Sequence, residues 1–147
     1  SCGMDPLLVK EEGAIYKVDS YVVPLFMVVA RKVSASNELF GHLCSALPLV
    51  EGELEPRMNV MAYYSIADGY VTIVVPRAVH RPSCYYAEGP ANRMVSPGAL
   101  DMAGLMITPR ESDFAAITSD EAAAMLREVA MPQETADEVA CKIRGEV

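Results

Sequence analysis

RMNVMAYYSIADGYVTIVVPR, residues 57–77, alternates with period two on both sides of a glycine turn. Met58, Val60, Ala62, Tyr64 and Ile66 fall on one face, and Asn59, Met61, Tyr63 and Ser65 on the other. On the return, Val71, Ile73 and Val75 alternate with Tyr70, Thr72 and Val74. Side chains of a strand point alternately to opposite faces, so the spacing predicts two strands. Asp68-Gly69 between them is the dipeptide favoured by a two-residue hairpin turn, in which both positions take positive φ. The stretch therefore predicts an antiparallel hairpin.

Upstream, 14–19 alternates weakly and reads as a strand. Val22 to Ala30 is a continuous apolar run that suits a strand buried on both faces, with Pro24 displacing its first residues to an edge or bulge. From Ser34, the residues Leu39, Leu43 and Leu47 recur on one helical stripe beside Phe40 and Cys44, and Pro48 ends the helix. Cys44 is then a small core residue, and His42 lies off the stripe. Downstream, Met102 to Thr108 reads as a further strand. Thr118 and Glu121 form a capping box ahead of Ala122, Met125, Leu126 and Val129, and Pro132 opens a last helix along Ala136, Val139, Ala140 and Ile143, closed by Gly145. Hairpins with grouped helices predict an α+β fold, an antiparallel sheet with helices packed on one face. Residues 13–147 form one such domain. Residues 1–12 are expected to be a flexible lead-in, with Ser1, Cys2 and Gly3 a tag remnant.

The chain has 147 residues, enough for one domain with its own core, and a formal net charge of −8. That charge argues against a non-specific nucleic-acid surface or an anionic membrane surface, both of which need basic patches. No apolar run approaches the ~20 residues that span a bilayer, and Lys10, Glu11 and Glu12 interrupt any leader pattern. Cys2, Cys44, Cys84 and Cys141 contain no CxxC pair, and two histidines are too few to complete a zinc set. The chain reads as cytoplasmic, with reduced thiols and no metal or cofactor.

The long segment after the hairpin gathers Arg77, His80, Arg81, Cys84, Tyr85, Tyr86, Glu88, Asn92, Arg93 and Ser96. Between Arg77 and Arg93 there are three arginines and one acid, so the loop is locally basic within an acidic chain. Guanidinium forks match phosphate oxygens, and Arg77, His80, Arg81, Tyr85, Arg93 and Ser96 are the candidate phosphate- or sugar-binding residues. Arg77 ends a rigid strand and Pro82 holds Arg81 extended, so Arg77, His80 and Arg81 are expected to converge; the competing arrangement is an Arg81–Glu88 ion pair. Two further readings are a thiol nucleophile at Cys84 with His80 nearby, and a carboxylate pair of Glu88 and Asp101; neither has a supporting motif.

The ordered series PSCYYAE (82–88), DMAGLMIT (101–108), Asp113-Phe114 and AMLREV (124–129) resembles the C-terminal part of the GDP-L-galactose phosphorylase family. That family stands with galactose-1-phosphate uridylyltransferases and diadenosine tetraphosphate phosphorylases in the histidine-triad superfamily, and the resemblance covers roughly residues 14–145. It implies a histidine-triad-like half-domain working in nucleotidyl transfer or nucleotide-sugar phosphorolysis. In such enzymes a histidine of a His-x-His-x-Gln/His segment attacks the α-phosphate. Here His42 stands in Gly41-His42-Leu43 and His80 in Val79-His80-Arg81, so the segment is missing and the catalytic residue is unknown. The resemblance implies a domain that supports a nucleotide or sugar-phosphate site against a missing N-terminal catalytic half or as a homodimer, and that is inactive alone. The alternative is a non-catalytic binding or assembly module with the same fold.

Overall fold

The structure is a computed structural model and describes residues 3–146; Ser1 and Cys2 of the expected tag remnant lie outside the described residues, as does Val147. Five strands form one antiparallel sheet in the order β1-β2-β3-β5-β4: β1 (Met4–Lys10), β2 (Gly13–Val18), β3 (Leu25–Ala30), β4 (Met58–Ser65) and β5 (Gly69–Pro76). Among the described residues five α-helices, with short 3-10 turns at Ser83–Tyr85 and Gly89–Ala91, complete the fold: α1 (Val33–Ala46), α2 (Ala99–Met102), α3 (Glu111–Ala116), α4 (Ser119–Val129) and α5 (Gln133–Arg144). The α+β class and the antiparallel sheet are as expected. Among the described residues no helix is long and apolar enough to cross a membrane.

The register sorts the strands into two faces. Ile15, Phe26, Val28, Ala30 and Val74 share one face, where α1 (Leu39, Leu43) and α5 (Ala136, Val139, Ala140, Ile143) cover them. Val18, Leu25 and Val75 share the other, against Met102 of α2 and Leu126 and Val129 of α4. Helices α1 and α5 thus pack on one face, and α4, with its own apolar stripe, packs with α2 and the post-hairpin segment on the other, so the helices lie on both faces rather than on one. Lys17, on the helix-covered face, is buried and ion-paired to Asp19 at 2.5 Å and to Asp137 of α5 at 2.8 Å. Burial opposes its charge, yet the two carboxylates hold its pKa above the usual lysine value.

Three local expectations are corrected. The lead-in contains β1, which pairs with β2; Leu7 is buried in the core, and Asp5 is ion-paired to Arg144 of α5. Pro6 is tolerated because β1 is an edge strand with a register shift between Pro6 and Leu8. The hairpin turn is not the two-residue type: Ser65 pairs with Gly69, so Ile66, Ala67 and Asp68 form the loop, and only Gly69 has positive φ (+83°). A three-residue loop is thus followed by a glycine in the left-handed position at the first residue of the return strand. Finally, 102–108 is not a strand. Asp101 caps the turn, accepting the N–H of Gly98 and of Ile107, both at 2.8 Å, and Gly104 at φ +103° redirects the chain. Met106 faces the core while Leu105 and Ile107 are exposed, which imitates a strand's alternation without a partner strand.

The remaining elements form for the reasons expected. Thr118 accepts the N–H of Glu121 and Glu121 accepts the N–H of Thr118, closing the capping box of α4. Gly145 ends α5 at φ +77°. Cys44 on α1 is half-buried rather than fully enclosed.

Gly69 and Gly52 isolate a contact effect from a backbone effect. Both have φ near +84°, but a Cβ at Gly69 would lie 2.5 Å from the Ala30 carbonyl oxygen, whereas Gly52 faces open space. Gly52→Ala should lower stability by about 1–2 kcal/mol, the left-handed penalty alone, and Gly69→Ala by clearly more in urea denaturation. Equal losses would show that the hairpin turn relaxes away from Ala30.

Candidate functional site

β5 ends at Pro76, and the next residues are held from two sides. Arg77 donates its N–H to the Arg57 carbonyl at 2.8 Å, Met131 donates to the Pro76 carbonyl at 2.9 Å, and Ala78 donates to Val129 at 2.9 Å. Arg77 is therefore fixed in position, as expected for a strand end, but both of its Nη groups are occupied. Nη1 donates to Asn59 Oδ1 and to the Pro97 carbonyl, both at 2.6 Å, and Nη2 donates to the carbonyls of His80 (2.7 Å) and Val79 (3.2 Å). Burial lowers its pKa and the nearby Asp101 charge opposes that shift. Its Nε is buried without a partner. Arg77 is a structural fork gripping four protein acceptors.

Arg93 and Arg110 act the same way. Arg93 donates to the carbonyls of Pro90 (2.9 Å) and Asn92 (3.2 Å) and reaches Glu121 at 3.4 Å. Arg110 donates Nε to Asp113 Oδ2 (2.8 Å) and Nη2 to Asp113 Oδ1 (3.0 Å), and it also reaches the Asn92 carbonyl. Asp113 is buried and accepts the Met94 N–H at 2.9 Å. The Arg110 guanidinium holds its carboxyl below the usual range, helped by that N–H and against burial.

The residues expected to converge are divided between two hollows. Arg77 and His80 line one of about 410 Å³ with Glu53, Arg57, Met58, Asn59 and Val79. Tyr85 and Ser96 line another of about 490 Å³, whose walls include Met94, Leu100, Ile107 and Pro109. Arg81 belongs with the second group: its Nε donates to Ser96 Oγ at 3.1 Å and its guanidinium lies 4.2 Å from the centre of the Tyr85 ring. His80 is exposed. No Arg81–Glu88 ion pair exists among the described residues, and Glu88 is exposed. Arg81, Tyr85 and Ser96 are thus brought together, while Arg77, His80 and Arg93 are not part of that cluster.

Cys84 is half-buried; burial first, then the charge of Glu128, pushes its thiol up, away from the thiolate a nucleophile needs. Asp101 and Glu88 form no pair, since both oxygens of Asp101 are spent on backbone N–H groups. Among the described residues no group of three His, Cys, Asp or Glu is placed to hold a metal ion. Sequence spacing left Arg110 and Asp113 without a role, although an i, i+3 arginine–aspartate pair at a helix start was a readable signal. Comparison with protein-family models, curated proteins and solved structures finds no match to this chain.

The lowered pKa of Asp113 gives the segment an acid sensitivity. Its stabilising contribution is complete above the unfolded carboxylate value of 3.8 and is lost as pH falls through the lower folded value. Wild type should lose urea resistance more steeply than Asp113→Asn from about pH 4 downward. Parallel curves would remove Asp113 as the sensitive group.

Proposed function

We propose that this chain supplies a phosphate- or sugar-binding surface to a nucleotidyl-transfer or nucleotide-sugar phosphorolysis site, in keeping with the histidine-triad-like family that its sequence resembles. The observation that carries the reading is Arg81. Of the arginines in the segment, Arg77 and Arg93 spend both Nη groups on protein acceptors, and Arg110 is forked onto the carboxylate of Asp113 through Nε and Nη2. Arg81 is held by Ser96 through Nε and by the Tyr85 ring through its face, and among the described residues its Nη groups meet no acceptor. A guanidinium fixed at one edge with the other edge free is pre-organised for phosphate oxygens.

The adjoining hollow suits the rest of such a ligand. Its volume lies within the ~300–1,000 Å³ of small-molecule sites. Its apolar walls offer ring-face contact, and Ser96 supplies a hydroxyl. The reading assigns no nucleophile to this chain: His42 is exposed on α1, and His80 is exposed at the other hollow. The supporting role, without turnover by the chain alone, follows from that.

Titration with a sugar 1-phosphate and with a nucleoside diphosphate sugar, followed by amide chemical shifts, tests the reading. Shifts are expected at Tyr85, Ser96 and Gly98. Arg81→Ala should weaken binding at least about tenfold, roughly 1.4 kcal/mol, and Arg81→Lys should restore only part of it, because the fork is lost while the charge is kept. Unchanged affinity in Arg81→Ala overturns the assignment. No shift with either ligand at millimolar concentration leaves the non-catalytic binding or assembly module as the better account.

A further inference from the structure

β4 is an edge strand, with β5 on its inner side and no strand beyond it among the described residues. The direction of its free backbone groups follows from one bond. Arg77 donates its N–H to the Arg57 carbonyl, so the 57/77 pair is hydrogen-bonded. The register from Met58↔Pro76 to Ser65↔Gly69 is unbroken, so alternate pairs, 59/75, 61/73 and 63/71, bond with it. Residues 58, 60, 62 and 64 therefore turn N–H and C=O outward, away from the sheet.

Native edge strands are guarded against pairing by charge, proline or bulges. The opposite edge, β1, has all three: Asp5 and Lys10, Pro6, and the register shift between Pro6 and Leu8. β4 has none. Its eight residues, MNVMAYYS, carry no charge and no proline. Val60 is 41%, Tyr63 51% and Tyr64 62% exposed, and Ile66 in the adjoining turn is 98% exposed.

We infer that β4 pairs with β4 of a second copy of this chain, antiparallel about a two-fold axis at Met61, so that residues 58, 60, 62 and 64 of one copy face 64, 62, 60 and 58 of the other. The row is self-complementary: at this register every outward pair exchanges two bonds over the length of the strand. In a chain of net charge −8, this uncharged edge lets two copies meet without like charges facing along the strand. An isologous contact is also the common form of dimer. The exposed parts of Val60, Tyr63 and Tyr64 amount to roughly 300 Å² per copy, well below the ~800 Å² per partner of a standard interface. The dimer is therefore concentration-dependent rather than obligate. The inference is independent of the Arg81 site.

Sedimentation over a concentration series and amide hydrogen exchange test it together. The average mass should rise toward twice the monomer mass with concentration, and amides 60, 62 and 64 should become protected in step and exchange freely on dilution. Ala62→Pro deletes an outward N–H that β5 does not use, and Tyr64→Lys sets an unpaired charge opposite Met58 of the second copy, the kind of guard that native edge strands carry against pairing. Both variants should stay monomeric with an unchanged far-UV spectrum, and if Ala62→Pro disturbs the strand, Tyr64→Lys decides. A monomer at the highest concentration, a dimer that persists in Tyr64→Lys, or a dimer whose amides 60, 62 and 64 exchange freely overturns the inference.

Discussion

The guanidinium of Arg77 grips the carbonyl of Pro97, and the carboxylate of Asp101 accepts the N–H of Gly98. These two groups belong to one peptide unit. A cation on its oxygen and an anion on its N–H both align with the peptide dipole, so the unit is held from both ends by opposite charges. The same Arg77 fork holds Asn59 on β4 and the carbonyls of Val79 and His80. One side chain thus ties the hairpin to the start and to the far side of the long segment. The fixed peptide lies between the hollow of Arg77 and His80 and that of Tyr85 and Ser96, which is why residues close in sequence end up serving different surfaces.

The rest of the segment repeats this device. Asp113 takes the Met94 N–H while its partner Arg110 takes the Asn92 carbonyl, and Arg93 takes the Pro90 carbonyl while it pairs with Glu121. A long connection without ladder hydrogen bonds must satisfy its backbone groups some other way when it packs against a sheet. Charged side chains do that here, and charge-assisted bonds to backbone groups are stronger than neutral ones. A concentration of arginine and aspartate in such a segment marks the cost of ordering it as readily as it marks a ligand. Arg81 differs because its terminal donors are not drawn into this scaffolding.

Patterns that depend on period were legible: the 57–77 hairpin, the stripe of α1, the capping box of α4 and the glycine end of α5 all formed where the residues placed them. Two elements were not. β1 is short and interrupted by Pro6, and its stability comes from pairing with β2 and from Leu7 entering the core, neither of which local pattern shows. Met102 to Thr108 has the alternation of a strand, yet its N–H groups are taken locally, Met102 by the Gly98 carbonyl, Leu105 by the Leu100 carbonyl and Ile107 by Asp101 Oδ1, a local capture that outcompetes sheet pairing. In the site, residue types were readable and convergence was not. Arg81 and Ser96 are fifteen positions apart and meet, whereas Arg77 and Arg81, only four apart, point to different hollows because the strand end fixes one and the Tyr85 ring holds the other.

The charge arrangement around the second hollow also limits what it can hold. The net charge of −8 repels an approaching anion at long range, but at physiological ionic strength charges more than ~8 Å away are largely screened. Local groups then decide. Arg93 and Arg110 are each neutralised by a carboxylate, and the Asp101 charge is engaged by two N–H groups. Among the described residues around this hollow, Arg81 is the guanidinium without a carboxylate partner, and on the proposed reading it is the group that attracts a ligand. One such group gives a modest, oriented attachment for a phosphate, not a site for a polyanion, and most of the discrimination must come from Met94, Leu100, Ile107 and the Tyr85 ring. On the proposed reading, that division favours a small phosphorylated ring compound over an extended polyphosphate, which offers no ring face to the hollow's apolar walls.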